Sequence, residues 1–401
     1  MLTNRQLFLL HLGQTSTAPL MLEIERAEGV FMYGPRGKKY LDLISGVSVS
    51  NTGHRHPKVV EAVKEQADAY LHLMVYGEMI QSPQVKYAEK LCGLLPATLD
   101  NCFFVNSGSE AVEGALKLAK RFTGRSKLIS FKNSYHGSTH GALSIQGNEL
   151  YKNAFRPLLP DTLQLDFNNE TSIGAIDRKT ACVITEPIQA EAGVIFPVKG
   201  FLPKIRQRCT ETGALLVFDE VQTGFGRTGF MFAISRFGVV PDILVLAKAL
   251  GGGMPLGAFI SSKKIMSSLI TNPQLGHITT FGGHPVCCAA GLASLNVIID
   301  ENLIASCEEK SNLFRKELNH PLISDIRGEG LLLAVVLPEP EFVRYAVAHA
   351  PDYGLLLDYF LFCPDAFRIA PPLTISPQEI LAACNQLKIL LDVTMKNARK
   401  K

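Results

Sequence analysis

Residues 215–229 read LLVFDEVQTGFGRTG. A short apolar run with the character of a buried strand ends on two carboxylates, Asp219 and Glu220. Gly224, Gly226 and Gly229 then spell a GxGxxG run. In open α/β sheets ligands bind outside the carboxyl ends of the strands, so Asp219 stands where a site belongs. A dinucleotide cradle is a separate matter. It needs its glycines at the strand-to-helix turn itself, with an acid about 20 residues further on. Here the run DEVQT (219–223) separates strand from glycines, so the glycine run reads as a turn and loop.

Strand-like runs alternate with helical ones around this stretch. CFFVN (102–106) precedes SEAVEGALKLAKRF (109–122), and KLISFKN (127–133) follows. ACVITEP (181–187) precedes a helix near 201–212, and DILVLAKAL (242–250) and LGAFISS (256–262) come after. Apolar runs this short, set between helices, predict an α/β protein with a mostly parallel central sheet covered on both faces. The flanks have another texture. Residues 22–43 read as a hairpin pair turning at Gly34-Pro35-Arg36-Gly37, and a long helical region follows His284-Pro285 to about 318. Short strands are expected near 322–337, 353–359 and 367–370, and a final helix opens at Ser376-Pro377, a cap with proline at the first helical position. The expected organisation is a large α/β domain at 50–290 and a small α+β domain built from both termini, 1–49 and 291–401.

Composition bounds the function. The 401 residues are 47% hydrophobic and 19% charged, with a net charge of +3. Interspersed charges of that balance make no case for nucleic acid or an anionic membrane as partner. No apolar run approaches the roughly 18 residues of a membrane span, and the start, MLTNRQLFLLHLGQT, reads as an amphipathic helix. Nine cysteines lie scattered without metal-ligand spacing. They read as reduced core thiols of a cytoplasmic protein, and no metal site is expected.

Several residues carry candidate chemistry, each with a bland alternative. Asn106-Ser107-Gly108-Ser109-Glu110 lies between a strand and a helix, where free N–H groups and the helix dipole attract an anion; a plain capped helix start would look the same. Lys248, near a buried strand end before three glycines, reads as a Schiff-base lysine whose amine burial makes nucleophilic, or as a lysine snorkelling outward. Asp219 could pair with a pyridinium nitrogen or form an ordinary ion pair. Tyr135, in Tyr135-His136-Gly137, offers an aromatic face to a ligand or to the core.

In this order, an anion turn, an aromatic, a strand-end Asp and a strand-end Lys resemble the class III aminotransferases, pyridoxal-phosphate enzymes of fold type I. The likeness runs through GKKYLDLISGVSVSNTGHRHP, NSGSEAVEGALKLAKR, YHGST, ITEPIQAEAGV, LVFDEVQTGFGRTG, PDILVLAKALGGGMPLGA, TTFGGHP and FRIAPPLTIS. It implies pyridoxal 5'-phosphate as cofactor, an amino donor and a 2-oxo acid as substrates, and a homodimer with a shared active site. It also implies roles. Lys248 would hold the cofactor as a Schiff base and carry the proton between the two substrate carbons. Asp219 would pair with the ring nitrogen, Val221 would pack on the ring, Tyr135 would stack on its other face, and Gln222 would bond the phenolic oxygen. Gly108 and Ser109 would bind the phosphate, joined by Thr280 from the neighbouring subunit, and Glu186 would belong to the hydrogen-bonded surroundings of the ring. Arg368 would clamp a substrate carboxylate, and Glu191 would mask Arg368 when an amine end is bound.

One position departs from the family pattern. The ornithine, acetylornithine and 4-aminobutyrate enzymes, which this chain resembles closely, carry arginine after the aromatic-x-Gly, where this chain has Ser138. A serine cannot supply a bidentate charged fork, and the run YHGSTHGALSI also resembles the diaminopelargonate enzymes, which leaves 2-oxoglutarate as acceptor open and the donor open among ω-amino compounds and amino acids, ornithine-like ones included. An aminomutase of the glutamate-1-semialdehyde type or a decarboxylase would share every cofactor contact. A non-catalytic cofactor-binding protein and a nicotinamide oxidoreductase complete the alternatives.

Overall fold

The apolar runs become strands in the computed structural model, which describes residues 2–397. Near the start lie β1 (Arg26–Glu28), β2 (Phe31–Tyr33) and β3 (Lys39–Asp42). The middle of the chain contributes β4 (Asn101–Val105), β5 (Lys127–Phe131), β6 (Thr162–Leu165), β7 (Thr180–Thr185), β8 (Leu215–Asp219), β9 (Ile243–Leu246) and β10 (Gly257–Ser261). The last part adds β11 (Asp325–Glu329), β12 (Leu332–Val336), β13 (Leu355–Leu356), β14 (Asp358–Phe360) and β15 (Cys363–Ile369). Of these, β6 has no counterpart among the expected strands. Its sequence, TLQL, alternates weakly and it forms the sheet edge, where burial is incomplete.

The central sheet runs β4-β10-β9-β8-β7-β5-β6. Pairing is parallel from β9 to β6, and β10 alone runs against both of its neighbours. A strand buried on both faces shows no polar alternation, and β8 and β9 illustrate this. Leu216, Phe218, Leu244 and Leu246 enter one apolar cluster, while Leu215, Val217, Ile243 and Val245 enter another on the opposite face. The helix Gly108–Thr123 covers the second cluster with Ala111, Val112, Ala115 and Leu116, and ends on Gly124 in the left-handed region. The helix Pro285–Asp300, proline-started as its sequence implies, packs on the other side against the helices Pro57–Ala69 and Ser82–Gly93.

The two ends of the chain share a further core. Strand β13 adds in parallel to β3, joining Leu355 to Leu41, and Val30, Leu41 and Leu43 pack with Leu333, Phe367 and Leu391. The other late strands form the sheet β11-β12-β15-β14. The last helix, Pro377–Asn397, opens with the side chains of Ser376 and Glu379 capping each other's backbone. The amphipathic start folds as the helix Asn4–His11, yet it buries no residue in this single chain.

The glycine run of 224–229 forms turns, with Gly226 and Gly229 at φ 88° and 86°, and no helix opens on it. Its arginine has a structural task. Arg227 is fully buried; Nη1 donates to the carbonyls of Leu331 (2.9 Å) and Pro371 (2.6 Å), and Nη2 to Ser45 Oγ (3.1 Å) and to the amide oxygen of Asn51. It thereby ties early, middle and late segments together. Burial without a carboxylate contact pushes its pKa down to about 10. Arg227→Leu leaves these buried acceptors unpaired, at about 1–3 kcal/mol for each that water cannot reach. A loss of at least roughly 3 kcal/mol in denaturant unfolding is expected, and a change under 1 kcal/mol would rule this role out.

Candidate active site

Because β4, β5, β7, β8 and β9 point the same way, the turns after them meet at one edge of the sheet. Each turn contributes to a cavity of about 540 Å³. From after β4 come Gly108 and Ser109, from after β5 Tyr135, from after β7 Glu186, from β8 and its turn Asp219, Val221 and Gln222, and from after β9 Lys248.

Lys248 reaches its place through an unusual backbone. Ala247 is extended, and Lys248 enters the left-handed region at φ 51°, a conformation that costs a non-glycine residue roughly 1–3 kcal/mol. Its Nζ donates to Gln222 Oε1 at 3.2 Å. Desolvation lowers its pKa to about 8, while the charges of Glu191, Asp219 and Glu186 oppose the shift.

Asp219 is held from two sides. Val221 N donates to Oδ1 at 3.0 Å, and His136 Nδ1 lies 2.7 Å from Oδ2; since a carboxylate only accepts, the ring is the donor. His136, which also lines the cavity, is the neighbour of Asp219 that sequence reasoning passed over. It sits 83 residues from Asp219, and its only signal was its place beside Tyr135. The neighbouring Glu220 turns the other way. It accepts from the backbone of Ala233 and Ile234 and from Thr223, capping the next short helix, and burial raises its pKa to about 7. Glu186 is also buried, accepting from Tyr135 N and Ala190 N at 3.1 Å each. Desolvation, then the charge of Asp219, pushes its carboxyl well above the usual range.

The anion turn is closely built. Ser107 caps the helix Gly108–Thr123 through Glu110 N. A side chain at Gly108 would press on Val221 (3.2 Å), and one at Gly137, whose φ is 121°, would strike Ser109 Oγ. Ser138 is exposed; its N–H donates to Ser109 Oγ and its hydroxyl lies 3.2 Å from Tyr135 OH. Arg368 and Glu191 form a buried pair at 2.5 Å, close enough for both to affect Lys248 though neither lines the cavity. Asp358, unmarked in the sequence, also bonds Arg368. Thr280 is exposed and is not among the residues that line this cavity in the single chain.

The amine of Lys248 makes a signed prediction for the cofactor-free chain. Between about 8 and its ordinary value of 10.5, the unfolded chain holds a proton that the folded chain has released, so stability rises with pH across that window. Lys248→Met removes this contribution. Urea unfolding of both chains at pH 8 and pH 10 measures it, and an equal pH response in the two would contradict the shift.

Comparison with known proteins agrees with this geometry. The model of the aminotransferase class-III family matches residues 12–391. The chain is 38% identical to an acetylornithine aminotransferase of Methanopyrus kandleri, over 94% of this chain and 95% of that protein. It is 36% identical to ornithine aminotransferase 2 of Staphylococcus aureus, over 94% and 96%. The ornithine aminotransferase of Toxoplasma gondii superposes with a TM-score of 0.90 at 28% identity, covering 97% of this chain and 94% of that one, and another structure of it is described with PLP partly occupying its active site. The fold is that of the fold type I transaminases, and among the described residues no helix is long and apolar enough to cross a membrane. By sequence and by fold alike, this chain belongs to the class III aminotransferases.

Proposed function

We propose that this aminotransferase moves an amino group from an ω-amino compound or amino acid to a 2-oxo acid, with pyridoxal 5'-phosphate held in the 540 Å³ cavity. The observation that carries the reading is the pairing of Lys248 and Asp219 on that cavity, one an amine with lowered pKa and the other a buried carboxylate held by His136. The residues fit the cofactor. Gln222 Nε2 is a buried donor without a partner, suited to a phenolic oxygen, and the N-terminus of the helix Gly108–Thr123 lines the cavity, where its free N–H groups suit a phosphate. When bound, the cofactor supplies an aldehyde for amine condensation and a protonated ring that accepts the electron pair left by proton loss from the substrate carbon.

The protein's own share follows. Asp219 keeps charge on the ring nitrogen, with His136 fixing its orientation. Val221 and Tyr135 hold the ring between them, and Gly108 and Ser109 orient its phosphate. Lys248 Nζ takes the proton from one substrate carbon and returns it to the other, a task suited to an amine whose pKa lies near neutrality. Arg368 receives a substrate carboxylate when Glu191 moves aside. An absorbance spectrum of the loaded protein tests this. An amine donor should convert the aldehyde form to the amine form, and a 2-oxo acid should restore it. Lys248→Ala should stop both conversions; a variant with near-native turnover would refute the assignment.

The same reading includes a homodimer in the cytoplasm. All nine cysteines are free, which supports a reducing compartment. Thr280 lies beside an apolar groove that includes Met79 and Ile80, and Ile80 is 96% exposed and Phe281 53%, an unusual surface for a monomer. A second copy covering that groove would bring Thr280 to the partner's phosphate site. Sedimentation should therefore find apo protein dissociating more readily on dilution than loaded protein, with Thr280→Ala weakening cofactor retention. A fully active monomer would end the shared-site reading.

A further inference from the structure

Strand β14 runs antiparallel to β15 with Asp358 directly opposite Arg368. Cross-strand partners share a face, and Asp358 Oδ2 accepts from Arg368 Nη1 at 3.2 Å. Glu191 Oε1 accepts from Nη2 at 2.5 Å, while its Oε2 accepts from Leu361 N at 3.1 Å. The Arg368 side chain is 1% exposed, and its Nε is buried without a partner. The edges of the guanidinium are therefore unequal. Nη1 is bound to its own hairpin, whereas Nη2 is bound to a residue 177 positions away that follows a different strand. If Glu191 withdraws, Nη2 and Nε become a side-on fork, the geometry that takes a carboxylate by two parallel hydrogen bonds. Asp358 stays behind on Nη1.

We propose that Asp358 is a specificity-determining residue of this site, a fixed counter-ion on Arg368 that turns the Nη2–Nε edge to the substrate and biases the enzyme toward amine donors without a carboxylate, diamines above all. This rests on the aminotransferase reading of the cavity. With Glu191 in place, one positive and two negative groups leave the subsite net negative, which favours a second ammonium group on the donor. With Glu191 withdrawn, Asp358 still repels an incoming carboxylate. Ser138 brings no compensating cation. Tyr135, whose hydroxyl lies 3.2 Å from that of Ser138, begins a row of rings in which Phe362 neighbours both Tyr135 and Tyr151, with centroids 6.4 and 5.5 Å apart, and aromatic faces attract ammonium groups.

The test uses the cofactor-loaded enzyme and its Asp358→Asn and Asp358→Glu variants. Each half-reaction is followed separately, with 1,4-diaminobutane or ornithine as donor and pyruvate as acceptor. The wild type should use the diamine at least as well as ornithine. Asp358→Asn should lower kcat/KM for the diamine and raise it for pyruvate, each by roughly tenfold, and Asp358→Glu should restore both. Opposite movements are the signature, since a merely structural role would depress both together. A second readout needs no turnover: calorimetric titration with pentanoate, a carboxylate without an amine, should give a Kd roughly tenfold lower in Asp358→Asn. Parallel losses in the two half-reactions, an unchanged Kd for pentanoate, or a wild type that accepts only carboxylate-bearing donors would overturn the inference. A protein that transaminates nothing would sink the functional reading instead, and the pentanoate titration would still decide the role of Asp358.

Discussion

Parallel pairing of β5, β7, β8 and β9 is the constraint on which the rest of this molecule depends. Parallel strands leave by the same edge, so every turn that follows a strand end opens into one cleft. The chain can then bring an amine, two carboxylates, an aromatic ring and a helix N-terminus together from segments more than a hundred residues apart. The return path is a helix in most cases, and each helix buries a face of the sheet, which is why the strands are apolar throughout. Reversal of β10 alone breaks the pattern, and the turn that enters it from Met254 to Leu256 closes one wall of the same cavity.

Charge at that edge is arranged so that no group stands alone. Glu186 is pushed toward its neutral form by burial and by Asp219, Lys248 toward its neutral form by burial, and Arg368 is matched by Glu191 and Asp358. Asp219 accepts hydrogen bonds from Val221 N and from His136. Buried ionisable groups whose environments push them in different directions are how a single site separates acid from base roles. The left-handed backbone of Lys248 belongs to the same pattern: strain is retained where it directs the amine into the cavity.

Arg227 shows how a motif can be conspicuous and yet chemically silent. The glycines around it permit turns, and the guanidinium ties Ser45 and Asn51 to Leu331 and Pro371. Ser45 also donates to the carbonyl of Ala370, two residues past Arg368. The segment that carries Arg368 is thus anchored to the early chain through a residue outside the cavity lining. The question raised by two adjacent carboxylates has the same kind of answer, because Asp219 faces the cavity and Glu220 holds the turn behind it.

Sequence by itself determined the local elements and the edge of the sheet on which their polar residues stand. Apolar runs of strand length, proline-started helices and the Ser376–Glu379 cap are encoded within a few residues, so β4, β5, β7, β8, β9 and β10 and the last helix were legible. So was the sheet edge that Lys248, Asp219, Tyr135 and Gly108 share, because a strand-end position in an α/β alternation already says which edge a residue will occupy. The weakly alternating edge strand β6 was not legible, since its partners rather than its residues make it a strand. Tertiary structure alone decided which side chains meet. His136 finds Asp219 across 83 positions, and Asp358 finds Arg368 because a hairpin register sets them opposite each other. Such pairings depend on direction and register, which are properties of the packed sheet, and no local pattern in the chain records them.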